Sequence, residues 1–232
     1  MPHPTWRRPR TPCARAAAAA RPTGKDIMHL TRRHFVALAL APTMAALGGC
    51  APPSPVYRGI DLANGDYSGD FSLTDSAGRR RTLADFRGHY LLLFFGYTQC
   101  PDVCPSALSR AVAIRELLGE RKGRLKVAFL SVDPQRDTPP ILDAYVRAFD
   151  PSFVGMSGSA QEVARAAAAY RVFYRQVPTG ASYSVDHTAL SYVIDPDGQV
   201  RLALRHAQPA QECAEDLQKL MRYDEKRKGG WR

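Results

Sequence analysis

The sequence predicts a single α/β domain built on a central mixed sheet that is flanked by helices. The apolar run of strand length at residues 89–95 is typical of a strand that is buried on both faces, and residues 125–132 are predicted to be a second buried strand. The turn sequence Asp195-Pro196-Asp197-Gly198 predicts a hairpin near the C-terminus. Strands and helices alternate between these signals, and we therefore expect one folded domain over residues 65–222.

The other elements follow from local signals along the chain. The turn at residues 75–78, after Phe71-Ser72-Leu73, predicts an N-terminal β-hairpin. Thr138 and Pro139 are typical of the N-cap and first turn of a helix. In chain order we predict the hairpin at 71–78, a strand at 89–95, a helix at 107–118, a strand at 125–132, a helix from 138, a strand at 153–156, a helix at 160–170, a hairpin at 190–194 and 200–205, and a helix at 210–222.

Composition and charge narrow the class of protein. The 232 residues are 45% hydrophobic and 23% charged, which is ordinary for a globular protein and unlike collagen, a polytopic membrane protein or a wholly disordered chain. The net charge is +10, but residues 1–49 contain eight basic residues and one acidic residue. The rest of the chain is nearly neutral, which argues against a nucleic-acid-binding protein.

The N-terminal region is typical of a bacterial export signal, which we place at residues 28–49. Arg32-Arg33 precedes the apolar run 35–46, which is shorter than the ~20 residues that span a bilayer. Leu47-Gly48-Gly49-Cys50 resembles a lipobox in which Cys50 carries the lipid, and the arginine pair resembles a twin-arginine signal. The alternative is a short buried helix with a core cysteine.

The segments around the signal and the domain have their own compositions. Residues 1–27 are rich in Arg, Ala and Pro, and we interpret them as a mis-assigned start before Met28 or as a disordered extension. Residues 50–64 are predicted to be the lipidated cysteine and a tether, and residues 223–232 a basic tail. These features predict a lipoprotein of the bacterial cell envelope that faces the periplasm.

The five cysteines separate into different roles. Cys13 lies upstream of the signal and Cys50 is the predicted lipidation site, so three cysteines remain in the domain. An odd number of cysteines argues against a simple disulfide framework in an exported protein. We expect Cys100 and Cys104 to be a reactive pair and Cys213, in the last predicted helix, to be a packing residue.

The stretch from Phe95 to Ser106 carries the clearest chemical signal. It lies where a buried strand ends and a helix begins, and the helix N-terminus favours the thiolate form of a cysteine there. If residues 100–104 form one helical turn, the sulfurs of Cys100 and Cys104 lie on the same face and can hold one metal ion. Sulfur ligands select Cu(I), Zn or iron–sulfur chemistry over Mg or Ca. A disulfide, or two buried structural cysteines, are the alternatives.

A site with two cysteines needs a third ligand, and His187 is the best candidate. His89 opens a buried strand and His206 follows a strand in a polar context, whereas His187 lies in the predicted loop before the strand 190–194. In a thioredoxin-like arrangement this loop faces the start of the first helix. A histidine taken alone is more often a surface or core hydrogen-bonding residue.

Three motifs resemble those of a known family. They are the sequence from Phe95 to Pro105 (FGYTQCPDVCP), the sequence from Ser131 to Pro139 (SVDPQRDTP), and Asp186-His187-Thr188 followed by Tyr192 to Gly198 (YVIDPDG). Together, and in this order, they closely resemble the Sco/SenC copper chaperones of cytochrome c oxidase over roughly residues 65–222. The resemblance implies a thioredoxin-like fold that binds one copper ion through Cys100, Cys104 and His187, and a lipid on Cys50 in place of a transmembrane helix.

The resemblance also implies partners and roles. Two thiolates suit Cu(I), and the imidazole allows the same site to hold Cu(II). Asp102 could cap the helix or tune the thiolates, and Asp186 could orient the imidazole. Asp133, Asp137 and Thr138 are predicted to be loop and helix-cap residues. The expected partners are the copper-bearing subunit of cytochrome c oxidase, other periplasmic copper carriers or thioredoxin-like reductants, and the membrane through the lipid, with no nucleic acid.

Two other functions remain open at this point. The first is an enzyme, a thiol–disulfide reductase or thiol peroxidase that uses Cys100 and Cys104 without metal. The second is a redox or copper sensor. The substitution His187→Ala separates a chaperone from a reductase, because it removes a copper ligand and leaves disulfide exchange largely intact.

Overall fold

The computed structural model describes residues 54–67 and 69–229, which form a mixed sheet with helices packed against it. The main sheet has eight strands in the order β1-β10-β9-β4-β5-β6-β2-β3. The strands of this sheet are β1 (Ile60–Asp61), β2 (Ser72–Asp75), β3 (Arg80–Thr82), β4 (Tyr90–Gly96), β5 (Leu125–Ser131), β6 (Val154–Ser157), β9 (Leu190–Ile194) and β10 (Val200–Arg205). The predicted α/β class and mixed sheet are confirmed.

The centre of the sheet consists of the two apolar runs that the sequence predicts as buried strands. β4 and β5 pair in parallel from Tyr90 opposite Leu125 to Gly96 opposite Ser131, and every residue of β4 is buried. The other edge of β4 pairs antiparallel with β9. Parallel strands covered on both faces require continuous apolar sequence, which is why local hydrophobicity alone locates them.

In the described part of the chain, four α-helices cover the sheet. They are α1 (Val103–Leu117), α2 (Pro139–Arg147), α3 (Ala160–Ala169) and α4 (Ala210–Gly229). α1 and α4 pack against each other, α2 packs against β6, and α3 packs against β2. The helix α1 begins at Val103 rather than at the predicted residue 107, because its first turn includes the apolar residues Val103 and Cys104.

A second, two-stranded sheet was not predicted from the sequence. β7 (Tyr174–Thr179) and β8 (Ser182–His187) form a hairpin whose strands pair only with each other. The prediction that His187 lies in a loop is wrong, because His187 is the last residue of β8. Both strands are only partly buried, so they lack the apolar alternation that marks a strand.

The folded region is longer at both ends than predicted. β1 lies within the predicted tether, and the carboxylate of Asp216 accepts hydrogen bonds from the backbone N–H groups of Arg58 (3.0 Å) and Gly59 (2.8 Å). At the other end α4 continues to Gly229, through most of the predicted basic tail. The predicted signal, lipidation site and upstream extension lie outside the described residues. Within the described part of the chain, no helix is long and apolar enough to cross a membrane.

Candidate metal centre

The cysteine pair lies where β4 leads into α1. Cys100 precedes the helix, and its backbone N–H donates to the carbonyl of Tyr97 (3.3 Å), which closes a turn. Cys104 lies in the first turn of α1, and its N–H donates to Cys100 Sγ (3.5 Å). Residues 100–104 therefore do not form one continuous helical turn, but the turn before the helix brings the two sulfurs together.

Cys104 is the buried member of the pair, with no exposed surface. Its sulfur packs against the backbone at Gly96, where an added Cβ would lie only 2.7 Å from Cys104 Sγ. Burial raises the pKa of the Cys104 thiol. The expectation that the helix N-terminus favours a free thiolate is thus corrected for Cys104, because loss of hydration outweighs the helix dipole. A metal ion that binds this sulfur has to displace its proton.

His187 reaches the cysteines from the end of β8. Its Nε2 lies 3.7 Å from Cys104 Sγ, and its Nδ1 lies 3.2 Å from the carbonyl of Thr188. Because a carbonyl only accepts, Nδ1 carries the proton and Nε2 presents its lone pair to the sulfur. Burial lowers the pKa of His187, which favours the neutral imidazole that binds metals. The rings of Phe94 and Tyr97 contact the imidazole edge-on, with centroids at 5.8 Å and 6.0 Å.

The potential ligand atoms of Cys100, Cys104 and His187 all lie within 4.8 Å of one another. No other group of three His, Cys, Asp or Glu side chains with this arrangement occurs in residues 54–67 and 69–229. Cys104 is buried, whereas Cys100 and His187 are half-buried, so the group opens to solvent on one side. Two sulfurs and one imidazole nitrogen in this arrangement suit a soft or borderline metal ion.

The loop that carries Cys100 is fixed by a buried carboxylate. Asp137 is 1% exposed and accepts hydrogen bonds from the Thr98 N–H (3.1 Å), Thr98 Oγ1 (2.6 Å) and Ser131 Oγ (2.5 Å). Burial raises the pKa of Asp137. Asp137 was predicted to be a loop or helix-cap residue, and this role was not predicted, although the position of Asp137 just beyond the buried strand β5 is a signal for it.

Other predicted site residues have different partners from those expected. Asp102 occupies the N-cap of α1, but its carboxylate bonds no helix N–H and accepts instead from Ser106 Oγ (3.3 Å). Asp186 pairs with Arg175 (3.4 Å), and the Thr188 carbonyl takes the predicted role of orienting the imidazole. Thr138 occupies the N-cap of α2 without a side-chain hydrogen bond. Cys213 is fully buried, which confirms it as a packing residue.

Comparisons with known proteins agree with this geometry. The family model described as SCO1/SenC matches residues 61–222. The mitochondrial Protein SCO2 homolog of Bos taurus is 39% identical over 157 residues, which are 66% of this chain, and this chain spans only 59% of the bovine protein.

Three of the similar solved structures have copper bound. The structure of Bradyrhizobium japonicum ScoI with copper bound is 39% identical, has a TM-score of 0.60, and matches 65% of this chain and 96% of that one. The crystal structure of yeast Sco1 with copper bound is 30% identical, has a TM-score of 0.61, and matches 73% of this chain and 90% of that one.

Proposed function

The chain belongs to the SCO1/SenC family, and we propose that it is a copper chaperone that carries one copper ion and delivers it to the dinuclear copper site of cytochrome c oxidase. In this proposal Cys100, Cys104 and His187 hold the copper as cargo. The observation that carries the proposal is the approach of their three ligand atoms to within 4.8 Å of one another.

The chemistry of the three side chains supports copper. Two sulfurs are a preferred ligand pair for Cu(I), and a neutral imidazole stabilises Cu(II) in the same site. The imidazole lone pair already points at Cys104 Sγ because Nδ1 is engaged by the Thr188 carbonyl. Two related proteins, from Bradyrhizobium japonicum and yeast, have structures with copper bound.

The unequal burial of the ligands suits release of the cargo to an acceptor. Cys100 and His187 are half-buried and lie on the open side, where ligands of an acceptor can replace them, whereas Cys104 lies at the buried side. We infer that copper leaves by stepwise ligand exchange and that Cys104 is the last of the three ligands to dissociate from it. A fully enclosed structural metal site would not allow this exchange.

Copper titration of the full chain tests the proposal. We expect one equivalent of Cu(II) to produce sulfur-to-copper charge-transfer absorption that is lost in Cys100→Ser and in Cys104→Ser. Cys50→Ser is the matched control and is expected to bind as the unsubstituted protein does. Absence of binding at micromolar copper, or binding that survives in Cys104→Ser, would contradict the proposal.

A second candidate function is thiol–disulfide reduction, which the proximity of the two reduced sulfurs favours. In this reaction the thiols of Cys100 and Cys104 become a disulfide, and their two electrons and two protons reduce an acceptor disulfide to two thiols. His187→Ala distinguishes the functions. A chaperone loses Cu(II) binding and copper delivery in this variant, whereas a reductase retains most of its disulfide exchange rate.

The sequence of residues 28–50 supports a location for this activity. We propose that the protein is exported to the bacterial cell envelope and held at the membrane by a lipid on Cys50, with the domain facing the periplasm. Cell fractionation tests this proposal: the unsubstituted protein is expected in the membrane fraction, and Cys50→Ser in the soluble periplasmic fraction. Equal membrane association of the two proteins would exclude the lipid.

A further inference from the structure

A partly buried arginine, Arg136, joins the segments that carry two of the proposed copper ligands. It lies between β5 and α2, and its side chain is 16% exposed. Its Nη1 donates to the backbone carbonyl of Tyr183 (2.8 Å) in the hairpin and to Gln99 Oε1 (3.2 Å) beside Cys100. One guanidinium thus bonds a neighbour of Cys100 and the strand that ends at His187.

The body of the domain fixes this guanidinium through a second residue. Arg136 Nε donates to Asp133 Oδ2 (2.5 Å), and Tyr183 Oη donates to Asp133 Oδ1 (2.8 Å). Asp133 is fully buried, and Ser131 Oγ accepts from its backbone N–H (3.0 Å). The guanidinium carbon lies 3.6 Å from the centroid of the Tyr183 ring. Arg136, Asp133 and Tyr183 therefore form a closed set of contacts, which we call the arginine clasp.

The hairpin depends on contacts of this kind. β7 and β8 share no strand pairing with the eight-stranded sheet, so main-chain hydrogen bonding does not fix them to its edge. At the His187 end, Phe173 and Thr188 are joined by backbone and side-chain hydrogen bonds. At the other end the arginine clasp holds Tyr183, four residues before His187 on β8. A strand rises about 3.3 Å per residue, so the clasp acts on the imidazole from roughly 13 Å away.

We propose that Arg136 is a positioning residue that, through Tyr183, holds the His187 imidazole where copper binds. The role rests on the proposed function of the site. The two cysteines have independent support, because Cys104 is packed in the core and Asp137 fixes Thr98 in the cysteine loop. Loosening the clasp therefore moves the imidazole more than the sulfurs. Because the imidazole matters most for Cu(II), Arg136 sets the preference of the site between Cu(II) and Cu(I).

Lysine cannot replace arginine in this role. The clasp needs a planar group that stacks on the Tyr183 ring while it donates in two directions, toward Asp133 and toward the Tyr183 carbonyl. The ammonium group of lysine keeps the charge but has neither the planar surface nor the forked donors. Arg136→Lys is therefore the test variant. Tyr183→Phe is the second, since it retains the ring and removes the hydroxyl that bonds Asp133 (2.8 Å) and contacts Gln135 (3.5 Å).

A remote arginine provides a matched control. Arg115 is also 16% exposed, pairs with Asp150, and lies over the ring of Phe153 at 5.9 Å. It is eleven residues after Cys104 on α1, about 16 Å along the helix axis. Arg115→Lys thus changes a comparable ion pair and aromatic contact without touching the hairpin.

The measurement is the affinity of each full-length variant for Cu(II) and for Cu(I), the latter by competition with a chelator. Loss of a group that orients a metal ligand typically lowers affinity about 10–100-fold. We expect the affinity for Cu(II) to fall by this factor in Arg136→Lys and by a smaller factor in Tyr183→Phe. In each of these variants the affinity for Cu(I) is expected to change less than the affinity for Cu(II). Arg115→Lys is expected to keep the original ratio of the two affinities.

Two outcomes overturn the proposal. One is an unchanged ratio of Cu(II) to Cu(I) affinity in Arg136→Lys, whether both affinities are retained or both fall together. The other outcome is measured by amide hydrogen exchange of the metal-free protein. The proposal predicts that residues 182–187 exchange faster in Arg136→Lys than in Arg115→Lys. Equal exchange rules out the clasp without reference to copper. Failure of the unsubstituted protein to bind copper would instead overturn the proposed function.

Discussion

Cys104 and His187 reach the same site from regions of the protein that are held together by different forces. Cys104 belongs to the β4–α1 region, in which a fully buried strand pairs on both edges and a helix packs against its end. His187 belongs to the β7–β8 hairpin, which pairs with no other strand and is held by polar contacts to Arg136 and Asp133. Apolar burial supports the first region throughout. In the second region Val185 is the one residue buried in the core, so directional hydrogen bonds supply a larger share of the support.

This difference matters because the strength of the two kinds of contact differs. Burial of large side chains contributes several kcal/mol each, whereas a net hydrogen bond contributes about 0.5–1.5 kcal/mol. The cysteine side is thus expected to keep its geometry when copper enters or leaves, while the hairpin can shift at small cost. A metal site with one firm side and one adjustable side suits reversible binding of copper.

The largest expected effect comes from truncating a core side chain of β4, the strand that leads to the cysteines. Phe95 is fully buried in β4 and contacts Tyr170 and Tyr192, with ring centroids at 5.5 Å and 6.1 Å. We expect Phe95→Ala to lower the free energy of unfolding by about 3–5 kcal/mol in urea denaturation. Phe173, which precedes β7 and is 60% exposed, is the matched control. Phe173→Ala is expected to change the free energy of unfolding by less than about 0.5 kcal/mol. Similar losses of unfolding free energy in the two variants would contradict the inference that apolar burial supports the β4–α1 region more than the hairpin.

A smaller effect is expected from adding one methyl group beneath Cys104. A Cβ on Gly96 would lie 2.7 Å from Cys104 Sγ and 2.9 Å from atoms of the Phe129 and Phe94 rings. Gly96→Ala is therefore expected to cost about 1–3 kcal/mol of stability and to weaken copper binding by displacing the sulfur. At Gly123 the same change meets no atom within 4 Å, so Gly123→Ala serves as the control for both measurements. Normal copper affinity in Gly96→Ala would show that Cys104 is not held firmly.

A smaller effect again is expected from Arg171, in the segment that joins α3 to the hairpin. Arg171 follows α3 with a φ of 55°, and it is the one residue other than glycine with positive φ in the described part of the chain. Because glycine adopts this conformation without steric cost, Arg171→Gly is expected to be more stable than Arg171→Ala by about 1 kcal/mol. Both variants lose the same side-chain contacts to Asp66 and Tyr67. Equal thermal stabilities would show that the backbone carries no strain here.

The smallest expected effect is a dependence on pH that arises from Asp137. Burial raises the pKa of this carboxyl above its ordinary 3.8, so the folded protein binds its proton more tightly than the unfolded chain does. The stability of the unsubstituted protein is therefore expected to fall, relative to Asp137→Asn, as the pH rises from about 3.8 through the raised pKa. Urea denaturation of the two proteins at several pH values measures the difference. A difference in unfolding free energy between the two proteins that does not change with pH would contradict the raised pKa of Asp137.

The sequence predicted much of the central fold because the relevant signals are local. An unbroken apolar run marks the buried strand β4, a mainly apolar run marks β5, and turn residues mark the hairpin of β9 and β10. The site residues Cys100, Cys104 and His187 were named from spacing and from motif resemblance. The β7–β8 hairpin was not predicted because its strands are half-exposed, although Gly180 between them is a turn residue with positive φ.

The amino-acid sequence by itself determined which segments are buried strands and helices and which side chains are chemically able to bind copper. The tertiary structure alone decided how these side chains are supported: Asp137 fixes the cysteine loop, Thr188 orients the imidazole, and Arg136 joins the hairpin to the body of the domain. The physical reason is that hydrophobic periodicity depends on neighbours along the chain. Buried hydrogen bonds between residues as far apart as Asp133 and Tyr183 depend on distances that only folding brings about.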